Sequence, residues 1–156
     1  MPSLDRFRTA QDASHDGFAT ALSELRAGRK RSHWIWYVFP QLAGLGRSST
    51  AVYYGLAGAD EAAAYLRDDV LGARLVEAAA TVRAHLTRVP PPRLDQVMGS
   101  EIDALKLVSS MTLFAEVATT VGNLTMAEHA RGILDAAAMQ GYPRCTFTDD
   151  ALRRRS

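Results

Sequence analysis

Along most of the chain, apolar residues recur three or four positions apart, the spacing that gathers them on one face of a helix. Phe7, Gln11, Ser14, Phe18, Ala21, Leu22 and Leu25 follow it, predicting a first helix from about Leu4 to Arg26, with Ser3 as its cap and Gly28 ending it. From Trp34 to Phe39 both alternating sets are apolar, a pattern that a buried strand and a short buried helix satisfy equally. No second convincing strand exists to pair with it, so the stretch reads as a short helix stopped near Pro40. Gly44 and Gly46 then make a loop, and Arg47 to Thr50 open a helix reaching about Leu56.

Asp60 is placed to cap Glu61–Leu66, and Asp68 or Asp69 to cap a helix with Val70, Leu71, Leu75, Ala78, Val82 and Leu86 turned inward. Pro90-Pro91-Pro92 ends that helix in a stiff connection within the domain. A short turn over Leu94–Met98 precedes a long helix from about Ile102 to Val121, with Ile102, Leu105, Ser109, Thr112, Leu113, Glu116 and Val117 at helical spacing. Thr125-Met126-Ala127-Glu128 has the form of a capping box for a helix carrying Ala130, Ile133, Leu134, Ala137 and Ala138, stopped by Gly141. Thr148-Asp149-Asp150 caps a last turn before the basic tail Arg153-Arg154-Arg155. The expectation is an all-α, compact single-domain globule over residues 1–156, with six or seven helices and short loops.

Composition changes this picture mainly by exclusion. Eighteen basic residues against seventeen acidic give a net charge of +1, too balanced for a protein that coats nucleic acid. The lone Cys145 forms no internal disulfide, no cysteine cluster suggests zinc, and no cofactor is implied. Residues Met1–Ala10 lack the apolar centre of a signal peptide, and no run approaches the ~18 apolar residues of a membrane span. The expectation is a cytoplasmic protein with no membrane association.

Candidate chemistry lies in two stretches. In the first, Arg29-Lys30-Arg31 and Arg47 flank both tryptophans, and the amides of Gly46, Arg47 and Ser48 at a helix start are able to meet an anion. The spacing is neither a Walker loop nor a dinucleotide fingerprint. His33 beside Trp34 and Trp36 is a candidate acid or base with a flat wall next to it, against a plainer reading as the edge of an aromatic core. The two tryptophans point to different sides, so one is free to pack while the other lines a cleft. His15, His85 and His129 read as helix residues facing solvent.

In the second stretch, Asp103 and Lys106 are i,i+3 neighbours, as are Lys106 and Ser109, with Ser110 one turn from Lys106. Lys106 and Lys30 are the two lysines of a chain that otherwise uses arginine. Ser109 and Ser110 have no adjacent histidine, so no serine nucleophile follows.

Gly28-Arg29-Lys30-Arg31-Ser32-His33-Trp34-Ile35-Trp36-Tyr37-Val38-Phe39-Pro40-Gln41 with Gly44-Leu45-Gly46-Arg47-Ser48 resembles the signature of the bacterial DUF1810 family, a domain of unknown function sometimes labelled calpastatin-like. Asp103-Ala104-Leu105-Lys106-Leu107 with Ser109-Ser110-Met111-Thr112-Leu113-Phe114 resembles the family's second block. The resemblance implies a mainly helical single domain over roughly Leu4–Ala151 and no activity; nothing in the chain supports protease inhibition. Asp68-Asp69 stands where the family commonly has His-Pro, and Gly141–Thr146 matches the closing motif loosely.

Two functional readings remain. One is a small-ligand-binding domain or enzyme for an anionic, partly aromatic molecule of the nucleotide or ADP-ribose type. In it Lys30, Arg47 and the Gly46–Ser48 amides hold the anion, Trp34 stacks, Ser109 and Ser110 line the site, and His33, Asp103 and Lys106 sit nearest any chemistry. The other is a non-enzymatic module in which Arg29–Arg31 and Arg153–Arg155 bind an acidic protein or RNA. They separate on whether the two blocks meet.

Overall fold

The structure, a computed structural model, describes residues 3–154. Its axis is the long helix of the second block, α8 (Glu101–Val121). Through its middle every residue from Leu107 to Ala115 is buried, because α5 (Ala59–Arg67), α9 (Leu124–Met139), α10 (Thr146–Arg153) and the short α3 (Ile35–Val38) and α7 (Leu94–Val97) all pack on it. A central helix has no solvent face over its middle, which is why its apolar residues obey no single stripe. Ile102 and Leu105, expected inside, lie on the first turns of α8 and are 66% and 48% exposed. By length and composition α8 would also suffice to cross a membrane, with mean hydropathy 1.3, contrary to the expectation that no run comes close; 67% of that window is buried by other helices, as in the core helix of a globule.

Around it, α6 (Asp69–Leu86) packs against α9, α5 and α2 (Phe18–Arg26), while α1 (Asp5–Gln11) and α4 (Ser49–Tyr54) flank α3. Among the described residues there are ten helices and no strand, rather than six or seven helices. Only an isolated bridge between Leu42 and Leu56 resembles sheet pairing.

The extra elements have local causes. The expected first helix is two, α1 and α2, because the chain turns through Asp16 at φ 54° and Gly17, where a Cβ would lie 2.2 Å from the Ala13 carbonyl oxygen. The Tyr37 hydroxyl donates to the Asp16 carbonyl at 2.5 Å and holds the break, leaving Ser14 exposed rather than inward. Start signals were partly displaced. Asp68, one of the two aspartates expected there, caps α6 through the Val70 and Leu71 amides, and Ser48, within the expected Arg47–Thr50 start, caps α4 through Ala51. But α5 starts at Gly58 rather than Asp60, α9 is capped by Asn123 rather than Thr125, and α10 starts after Cys145 rather than at Thr148–Asp150. Arg153 and Arg154 end α10 or follow it, and Arg155 lies outside the described residues.

One buried charge pair was not foreseen. Arg6 on α1 meets Glu61 on α5 at 3.1 Å, each side chain 3% exposed. Arg6 also donates to the Ser3, Tyr53 and Gly55 carbonyls, and Glu61 accepts the Ala57 amide. A buried pair satisfied this fully positions three segments, whatever its net contribution to stability.

Candidate functional site

The site begins where α2 ends. Gly28, at φ 80°, takes the left-handed position, and the Arg29 amide reaches back to the Glu24 carbonyl at 3.1 Å. The Glu24 side chain then organises the following loop: it accepts the Arg31 and Ser32 amides, the Ser32 hydroxyl and the Trp34 Nε1–H at 2.5–3.0 Å. Burial pushes the Glu24 carboxyl upward, but these four hydrogen bonds outweigh it and hold the group down at about 2. The Lys30 amide donates to the Val97 carbonyl at 2.8 Å, stitching the loop to α7.

This geometry turns the Lys30 side chain inward. It is 5% exposed; its ammonium lies 2.8 Å from Asp103 Oδ2, donates to the Ser32 carbonyl, and sits 5.0 Å from the centroid of the Trp34 ring. Gly99 makes room for it. At φ 83°, a Cβ there would come within 2.5 Å of the Lys30 carbonyl oxygen. Asp103 is held in the first turn of α8, whose cap Ser100 accepts the Asp103 amide at 3.1 Å. One turn on, Lys106 approaches Asp103 Oδ1 at 3.9 Å and places its ammonium 5.1 Å from the centroid of Trp36. Two lysines, each against a tryptophan, thus share one carboxylate. The two blocks do meet.

Not every expected residue joins them. Trp34 is fully buried with its Nε1 held by Glu24, so it cannot stack on a ligand; Trp36, partly buried, is the tryptophan that reaches the surface. Ser109 returns its hydroxyl to the Leu105 carbonyl and Ser110 is sealed in the core, because both lie on the part of α8 buried all round. Ser110 Oγ and Trp36 Nε1 are buried polar atoms without a hydrogen-bond partner. The His33 ring is exposed and makes no contact with Asp103 or Lys106 among the described residues.

Gly46, Arg47 and Ser48 lie at the start of the six-residue α4, where Ser48 itself takes the free Ala51 amide. No contact joins them to Lys30, so they are not part of this cluster. Gly44 instead receives the ring of Phe147 from α10, which would lie 3.1 Å from a Cβ there. Two of the other histidines also differ from expectation. His85 Nε2 lies 2.7 Å from the Leu25 carbonyl, and His129 packs near Arg83, burial first and then that cation lowering its pKa. His15 is exposed as expected, though in the α1–α2 turn.

Among the described residues no group of three or more His, Cys, Asp or Glu could hold a metal ion. What the fold and cluster define is an all-α domain closed on a buried lysine–carboxylate pair, with a second lysine left at the surface. Residues 1–140 match the family described as "Protein of unknown function (DUF1810)", and the chain belongs to that family. It is also similar to the crystal structure of the conserved hypothetical protein Rv1873 from Mycobacterium tuberculosis, at 38% identity and TM-score 0.77, covering 96% of each chain. No curated protein matches it.

Proposed function

We propose that the domain binds a small molecule combining an anionic group with a flat ring, of the nucleotide type, on the surface where α3 and α8 meet. One observation carries this reading: Lys106 is a cation left over. Asp103 is already neutralised at 2.8 Å by the buried Lys30, whereas Lys106 stands 3.9 Å away with its side chain 26% exposed. Glu24, the nearby carboxylate, is occupied by four donors of its own loop. A partly exposed ammonium on a tryptophan, flanked by the exposed Ile102 and Leu105, offers an anion its charge and a ring its apolar border. The reading is binding rather than turnover, since neither serine of the block is available as a nucleophile.

The test is a thermal-shift and NMR titration series with a nucleoside monophosphate, its nucleoside and inorganic phosphate. The monophosphate should stabilise most and shift the Trp36 indole and Lys106 resonances. Lys106→Met and Trp36→Leu should each weaken binding about tenfold. No response to any anion at millimolar concentration would sink the proposal. So would binding that Lys106→Met leaves intact, and salt-sensitive RNA retention through Arg29 and Arg31 would then be the reading to pursue.

A further inference from the structure

A cleft of about 840 Å³, well inside the size range of small-molecule sites, opens between α5, α8 and α10, and the Lys106 surface contributes nothing to it. Its lining mixes apolar residues, Ala63, Val117, Val121 and Leu152, with polar and charged ones. Its charges are of two kinds. Asp149 is bound by Arg144 through two hydrogen bonds of 3.0 and 2.7 Å, Glu116 accepts from the same guanidinium at 3.2 Å, and Arg153 pairs with Asp150. Asp60 and Arg67, by contrast, have neither hydrogen bond nor ion pair among the described residues.

Asp60, Ala63 and Arg67 stand at i, i+3 and i+7 and so share the face of α5 that forms one wall. Their backbone positions are therefore about 10 Å apart along the wall, at ~1.5 Å rise per residue, with the Ala63 methyl group between them. Their order complements the α5 dipole, which accounts for their signs. It does not account for the open cleft beside them.

We infer that this cleft binds a zwitterion whose cationic and anionic ends are about 10 Å apart, the span of an extended tripeptide with free termini at ~3.3–3.6 Å per residue. The ammonium lies at Asp60, the carboxylate at Arg67, and small side chains pack over Ala63 against Val117 and Val121. Arg144 bridges Glu116 and Asp149 and offsets one of their two negative charges, which leaves the cleft favourable to the ligand's ammonium.

The experiment is an NMR titration of the full chain with trialanine, beside its N-acetylated and C-amidated forms. Trialanine should shift the amides of Asp60, Ala63, Arg67 and Val121. Blocking either terminus should weaken binding about tenfold, as should Arg67→Ala, an exposed site whose loss leaves the fold intact. Ala63→Trp, which occupies the cleft, should abolish the response, with circular dichroism confirming that the variant folds. Lys106→Met should leave trialanine binding unchanged, so this site and the nucleotide-type site stand or fall separately. The inference is overturned if saturating trialanine shifts none of these amides, or if the doubly blocked peptide binds equally well.

Discussion

Two lysine–tryptophan pairs sit side by side on Asp103 and behave as opposites. Lys30 over Trp34 is sealed: ammonium, ring and indole nitrogen all have protein partners, and the pair joins the α2–α3 loop to α8. Lys106 over Trp36 has nearly the same ring distance, 5.1 against 5.0 Å, yet its ion pair is long and its indole nitrogen has no partner. The same residue types therefore serve architecture in one case and, in the function proposed above, recognition in the other. Satisfaction and exposure separate them, not composition.

The largest expected effect falls on the sealed pair. Lys30→Met leaves Asp103 mostly buried without its close partner, and should cost about 3–5 kcal/mol in chemical denaturation. A cost near that of a surface residue would erase the contrast. Next, Gly99→Ala combines a left-handed backbone position with a Cβ driven toward the Lys30 carbonyl, and should cost about 1–3 kcal/mol, with Trp34 fluorescence shifted.

A pH titration probes the same half. The Glu24 carboxyl is depressed from 4.5 to about 2, so its contribution is fully present above its unfolded value. That contribution should fade as pH falls from about 5 toward 2. Asp68 and Asp149 are depressed as well, so the reading is a difference: the acid-side slope of stability should be shallower in Glu24→Gln than in the parent. Smallest of all, Lys106→Met should change stability by no more than about 0.5 kcal/mol. If it destabilises the fold as much as Lys30→Met, Lys106 is architectural too and the open half of the comparison disappears.

Local signals carried much of the fold. Asp68 and Ser48 cap as their positions before apolar runs require, Gly28 and Gly141 end their helices in the left-handed region, and Pro40 limits α3 to a single turn. The meeting of the two blocks was also legible, since polar residues at fixed places in helices call for partners. Three things were not. The α1–α2 break depends on the Tyr37 hydroxyl, twenty-one residues away. The Arg6–Glu61 pair spans fifty-five residues with no pattern to announce it. And alternation shows that Trp34 and Trp36 diverge without saying which faces inward, because that is decided by Glu24 and α8.

The attachment of α10 has a consequence for the cleft it borders. The family match ends at residue 140, while similarity to the Rv1873 structure covers 96% of the chain, and Thr148 is the one fully buried residue of α10. Two walls of the α5–α8–α10 cleft thus come from helices inside the family match, and the third, α10, is fastened by Arg144 and the Phe147–Gly44 contact. Most of α10 faces outward, so substitutions there can reshape this pocket without reaching the Lys30–Asp103 pair.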